Sequence, residues 1–153
     1  MGDKTKFLIL GYGNPLCGDD AAGWHVIEAL DGLVPDETAV AIHQLTPEWA
    51  EPISAAEQVI FVDAAIGDVP GEVRCFPIWP AIAHPGSHQI TPDGVLSMAA
   101  DLFGRCPPAH MVTITGGSFE ISESLTPAVA AAVPHALDRI RELLEQIDAS
   151  LFS

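Results

Sequence analysis

Five short apolar runs recur along the chain with helical patterns between them, and this alternation constrains the fold more than any other feature. Runs rich in apolar and β-branched residues are typical of buried strands. Amphipathic patterns cover Asp19 to Leu30, Pro92 to Phe103 and the residues from about Pro127 onward. We therefore predict an α/β protein, a three-layer α/β/α sandwich with a mostly parallel five-stranded sheet. The predicted strands are KFLIL (6–10), AVAI (39–42), QVIFV (58–62), EVRCF (72–76) and MVTIT (111–115).

Three Thr-Pro pairs predict where helices begin, at Thr46-Pro47, Thr91-Pro92 and Thr126-Pro127. A threonine hydroxyl can cap the first turn, and proline is tolerated at the first helical position because that N–H has no partner within the helix. Pro134 falls inside the last pattern, where it should kink the helix or mark a short first segment.

Composition and charge narrow the class of protein. With 153 residues, 48% of them hydrophobic, the chain is predicted to form a single domain over residues 1–153. The formal net charge of −15 argues against nucleic acid as a partner. No apolar run is long enough for a membrane span or a signal peptide, so we expect a cytoplasmic protein without a membrane partner. The acidic balance also favours a monomer.

The segment GYGNPLCGDD, residues 11 to 20, combines glycines with two adjacent carboxylates. Its glycine spacing, GxGxxxxG, differs from the GxGxxG of dinucleotide-binding loops. A bound pyrophosphate would also be repelled by Asp19 and Asp20, and no Lys or Arg between Lys6 and Arg74 offsets them. A nucleotide-binding domain is therefore the least favoured function.

Each acidic candidate has a structural and a functional interpretation. Asp19 is predicted to be the N-cap of the first helix. Asp20 is either a favourable charge on the helix dipole or a metal ligand, if other ligands converge on it. Asp63 ends the strand VIFVD, and the carboxyl ends of neighbouring parallel strands share a crevice. It would otherwise cap a nearby loop or helix.

Two histidines are candidates for the same crevice. His88 lies in the irregular stretch just before the helix start at Thr91, from which its side chain can reach this edge of the sheet. An ordinary loop histidine is the alternative. His43 follows the second predicted strand and is a secondary candidate.

Together with VIFVDAA, SHQITPDGVL and SLTPAV, the opening GYGNPLCGDDAAG resembles the maturation endopeptidases of nickel–iron hydrogenases over nearly the whole chain. The most specific match is GxGNxLxxDD, where Gly13-Asn14 and Asp19-Asp20 fit the family pattern. The resemblance implies that Asp20, Asp63 and His88 are both the catalytic and the metal-contacting residues.

The resemblance also implies an activity. Members of the family remove a C-terminal extension from the hydrogenase large-subunit precursor after nickel insertion. Nickel would be supplied by that precursor, which is the expected partner, and no organic cofactor is expected. The chain has no GxSxG or HExxH motif, in agreement with a nickel-dependent, aspartic-type endopeptidase. It departs from the commonest pattern at residues 43–48, HQLTPE, which leaves the hydrogenase served undetermined, and at Ala21, where glycine is frequent.

Two other functions stay open at this point. Two carboxylates and an imidazole could hold a resident zinc or manganese ion in a metallohydrolase. A non-catalytic, nickel-sensing chaperone of the large subunit is the other alternative, because no residue is a diagnostic nucleophile. Among the tryptophans, Trp24 is predicted to lie in the core, whereas Trp49 and Trp79 could contact the large subunit.

Overall fold

A five-stranded sheet forms the centre of the molecule. The computed structural model describes residues 7–35, 38–82 and 90–146. The strand order is β2-β1-β3-β5-β4, with β4 antiparallel to β5 and the other pairs parallel. The predicted α/β fold with a mostly parallel sheet is confirmed. The strands are β1 (Phe7–Tyr12), β2 (Ala39–Ile42), β3 (Gln58–Ala65), β4 (Val73–Ile78) and β5 (Ala109–Thr115).

Helices cover both faces of this sheet. They are α1 (Ala22–Leu30), α2 (Ala50–Ala55), α3 (Pro92–Phe103) and α4 (Pro127–Glu145). One core cluster joins α1 and α4 to alternate strand residues such as Ile9 and Ile60. The other joins α2 and α3 to the intervening residues, including Leu10 and Phe61. Successive strand residues point to opposite faces, so β1, β3 and β5 read as continuous apolar runs because both faces are covered.

All three Thr-Pro pairs lie where helices begin, although the capping differs from the prediction. The first pair opens a 3-10 turn (Pro47–Trp49) that leads into α2. Only the Thr91 hydroxyl caps its own helix, accepting from the Gly94 N–H at 3.2 Å. α4 continues through Pro134 as one helix, so the alternative of a separate first segment is wrong.

No helix within the described residues is both long and apolar enough to cross a membrane. All three cysteines are free.

Candidate functional site

Asp20 and Asp63 line the same cleft, which has a volume of about 820 Å³. Asp63 lies near the end of β3, and Asp20 lies in a 3-10 turn (Gly18–Ala21) between β1 and α1. Because β1 and β3 are parallel neighbours, their carboxyl ends bring the two side chains to one edge of the sheet, here called the carboxyl edge. The cleft is lined by Tyr12, Gly13, Asn14, Asp20, His43, Gln44, Leu45, Thr46, Pro47, Asp63 and Ile90.

The loop after β1 fixes the position of Asp20. Its Oδ2 accepts a hydrogen bond of 2.7 Å from the Asn14 N–H. Gly13 has a φ of 142°, and a Cβ there would lie 2.1 Å from the Asp20 carbonyl oxygen. The glycine of this segment therefore permits a close turn against Asp20, which explains the motif without a bound phosphate.

Asp63 is held by two donors inside the cleft. Its Oδ1 accepts from the Ala64 N–H at 2.7 Å, and the Tyr12 hydroxyl is hydrogen-bonded to the same carboxylate. Burial, with a contribution from the negative charge of Asp20, raises the pKa of Asp63 to about 7 despite these hydrogen bonds. Burial and the nearby Asp63 carboxylate also raise the pKa of Tyr12. Asp20 and Asp63 are thus close enough to repel each other in the absence of a cation.

Asp19 has a structural role that differs from the predicted N-cap. The N-cap residue of α1 is Ala21, which provides no side-chain cap. Asp19 is fully buried and does not cap this helix. Its carboxylate accepts from the N–H groups of Gly117, Ser118 and Thr126 at 2.7, 3.1 and 2.8 Å. The Thr126 hydroxyl donates to it at 2.7 Å. Although burial opposes ionisation, these bonds keep the pKa of Asp19 below its usual range.

His43 and Trp24 form a wall beside the cleft. Their rings meet edge to face, with centroids 5.8 Å apart. The Trp24 indole N–H donates to the carbonyl oxygens of Gly13 at 2.9 Å and Ile42 at 3.1 Å. Trp24 is therefore half-buried and tied to backbone, and the prediction of a core residue is wrong. The secondary candidate His43 does line the cleft.

The other two tryptophans differ in exposure. Trp49 packs against the core cluster that contains α2 and α3. Trp79 has 69% of its surface exposed.

The third predicted site residue, His88, lies outside the described residues. Ile90, two positions later in the chain, lines the cleft. Over residues 7–35, 38–82 and 90–146, no group of three His, Cys, Asp or Glu side chains is placed to hold a metal ion.

Tyr12 is the cleft residue that sequence reasoning missed. It is the last residue of β1, and Asp63 lies near the end of β3. The carboxyl end of a central parallel strand is a frequent position for functional side chains. The position of Tyr12 at a strand end could therefore have identified it from the sequence. It was missed because it lies between an apolar run and the glycines of the following motif.

Several solved structures that match this fold are named as hydrogenase maturation endopeptidases or proteases. HybD from E. coli, a hydrogenase maturating endopeptidase, has a TM-score of 0.75 and 24% identity, covering 94% of each chain. The [NiFe] hydrogenase maturation protease HycI from Thermococcus kodakarensis has a TM-score of 0.71 and 25% identity, covering 94% of this chain and 95% of its own. A hydrogenase 2 maturation peptidase from Thaumarchaeota archaeon SCGC_AB-539-E09 has a TM-score of 0.67 and 23% identity, covering 92% of this chain and 98% of its own.

No protein-family model and no curated protein sequence matches the chain. The structural matches nevertheless extend over most of its length, and the resemblance inferred from the sequence motifs is confirmed in the fold. The chain has the fold of the hydrogenase maturation endopeptidases.

Proposed function

We propose that this protein is an endopeptidase that removes the C-terminal extension of a nickel–iron hydrogenase large-subunit precursor after nickel insertion. The observation that carries the proposal is the convergence of Asp20 and Asp63 in one open cleft, on a fold shared with several solved structures that are named as maturation proteases. The reaction would take place in the cytoplasm, with the protein acting as a monomer.

The donor set suits an ion that arrives with the substrate. The described residues contribute two carboxylates, which repel each other and would gain from a cation between them. We propose Asp20, Asp63 and His88 as the groups that recognise a nickel ion already held by the precursor's cysteines. A metallohydrolase that holds its own zinc or manganese on the same three residues is the alternative, and metal analysis of the purified protein distinguishes the two.

Recognition of the ion would couple cleavage to nickel loading. A bound cation can polarise a peptide carbonyl or lower the pKa of a water molecule. The chain's own contribution is orientation: Asn14 fixes the Asp20 carboxylate, while Ala64 and Tyr12 fix that of Asp63. Preorganised carboxylates lose little freedom when the ion arrives, and an empty precursor would not present that ion.

Intact mass spectrometry of the precursor tests the proposal. We expect the purified protein, with no added metal, to shorten only the nickel-loaded precursor, and the lost mass to equal one C-terminal peptide. The nickel-free precursor is the matched control. An unchanged mass for a loaded precursor that binds the protein would reject the endopeptidase and support the nickel-sensing chaperone. Cleavage of both forms would reject nickel gating.

Tyr12→Phe should lower the kcat for the loaded precursor about tenfold, because one hydrogen bond to a charged group is worth roughly 1.5 kcal/mol. The ring and its packing remain, so the free energy of unfolding in urea should fall by no more than about 1.5 kcal/mol, the value of the lost hydrogen bond. A variant with the wild-type kcat would show that Ala64 alone orients Asp63.

A further inference from the structure

An apolar groove lies directly beside the cleft, on the other side of the loop after β1. Its volume is about 400 Å³. Gly13 and Asn14 of this loop line the cleft, whereas the next two residues, Pro15 and Leu16, line the groove. Ala21, Trp24, Ile27 and Ala41 supply the rest of its apolar lining, and its polar lining residues are His25, Glu28 and Glu123. We call this pocket the Trp24 groove and define it by its six apolar lining residues, which are Pro15, Leu16, Ala21, Trp24, Ile27 and Ala41.

The groove and the cleft share a rigid wall. The Trp24 indole, which lines the groove, is hydrogen-bonded to the Gly13 carbonyl and packs against His43 of the cleft. The Asn14 side chain accepts from the Leu16 N–H at 2.9 Å, while the Asn14 N–H binds Asp20. A chain segment bound in the cleft would therefore need only a few residues to reach the groove, without rearrangement of the wall between them.

The groove has an exposed apolar side and an acidic border. Leu16 has 56% of its surface exposed, although the neighbouring Ala21 is buried. Glu28 and Glu123, both exposed, line the groove, and no Lys or Arg of the described chain does. Three arginines are engaged elsewhere: Arg74 pairs with Glu72, Arg105 binds backbone near the end of α2, and Arg139 pairs with Glu142.

Charge decides which occupant fits. A second copy of this chain would bring another formal charge of −15 towards an acidic border, which disfavours self-association there. A partner segment with an apolar side chain and adjacent Lys or Arg residues would satisfy both the groove and its border. Exposed apolar surface next to a site is typical of protein recognition.

We propose that the Trp24 groove docks a segment of the large-subunit precursor near the scissile bond, through an apolar side chain flanked by basic residues. This inference rests on the proposed function, because it takes the cleft as the place of cleavage. Docking in the groove binds the precursor without touching the reacting bond, so its loss raises KM and leaves kcat unchanged.

Leu16→Ser and the double variant Glu28→Lys/Glu123→Lys test the groove with the nickel-loaded precursor. We expect Leu16→Ser to raise KM about tenfold, the effect of losing most of one buried leucine contact. The charge reversal should raise KM by repelling the basic residues of the precursor, and kcat should stay within about twofold of the wild type in both variants. The charge reversal should also change the sign of the salt effect at the groove, because salt screens attraction in the wild type and repulsion in the variant. Leu102→Ser and Glu51→Lys are controls, since both residues are exposed on the opposite face of the sheet. Wild-type KM values for both groove variants would overturn the proposal.

Two further measurements separate the other outcomes. If sedimentation shows a wild-type dimer that Leu16→Ser dissociates, a second copy occupies the groove and the proposal is wrong. If the wild type does not cleave the precursor, the endopeptidase fails, and calorimetric binding of the intact precursor decides the groove. If Leu16→Ser binds the precursor more weakly than the wild type and the control variants do not, docking in the groove is supported. If Leu16→Ser binds as tightly as the wild type, or if the wild type does not bind, the proposal is overturned.

Discussion

Asp20→Asn, Asp63→Asn and His88→Ala should each lower cleavage of the nickel-loaded precursor by at least about a thousandfold while the chain stays folded. An uncharged amide is a poor ligand for a divalent cation, and groups that act as one unit are each indispensable. The measurement is the single-turnover rate of loss of the C-terminal peptide, followed by intact mass.

The contacts of the two carboxylates indicate that their amide variants will fold. In Asp20→Asn the new amide oxygen can still accept from the Asn14 N–H, and in Asp63→Asn it can accept from the Ala64 N–H. Either change also removes the repulsion between Asp20 and Asp63, which contributes to the raised pKa of Asp63. The free energy of unfolding should therefore stay constant or rise slightly.

Asp68→Asn is the matched control, because this exposed carboxylate follows β3 at the same edge of the sheet. Its cleavage rate should equal that of the wild type, which would show that removing one negative charge from this edge has no effect of its own. Wild-type activity in any of the three site variants would remove that residue from the proposed site. Unfolding of all three would assign them a structural role.

The sequence predicts most of the architecture because local patterns determine it. Apolar runs locate all five strands, and Thr-Pro pairs locate three helix starts. The antiparallel direction of β4 carries no local signal, since its Val-Arg-Cys-Phe pattern is compatible with either pairing. Long-range contacts also override local capping. Thr126 begins α4 as predicted, yet its hydroxyl binds Asp19, 107 positions away, and does not cap its own helix.

The part of the site that could be predicted from the sequence is the part formed by residues at the carboxyl ends of strands. Asp20 and Asp63 meet in one cleft because parallel neighbours end at the same edge. Neighbouring residues in one motif, however, diverge: Asp19 is buried against the loop after β5, while Asp20 faces the cleft. That division depends on a 3-10 turn at Gly18–Ala21, whereas the helical pattern predicted a continuous helix from Asp19. Tyr12 shows the same dependence, because its role follows only from contact with Asp63.

Asp19→Ala should destabilise the protein by about 3 kcal/mol, as measured by urea unfolding, because the loop after β5 and the start of α4 lose their shared acceptor. Four donors would lose the carboxylate at once, and the Thr126 groups are partly buried. Asp19→Asn should cost about half as much, since one amide oxygen still accepts. Asp101→Ala, at an exposed position on α3, should change stability by less than about 0.5 kcal/mol.

The acid dependence of unfolding separates this network from simple loss of packing. The pKa of Asp19 is lower in the folded chain than its ordinary value, so its stabilisation is complete above that ordinary value and is lost as pH falls through the lowered one. The difference in unfolding free energy between the wild type and Asp19→Asn should therefore stay constant at neutral pH and narrow as the pH falls below about 4. A constant gap would mean that the carboxylate's charge contributes nothing and that its shape alone holds the two segments together. If the difference in unfolding free energy narrows, the negative charge of Asp19 stabilises the contact between α4 and the turn that carries Asp20. The two adjacent carboxylates would then have different roles, since Asp19 is structural and Asp20 faces the cleft.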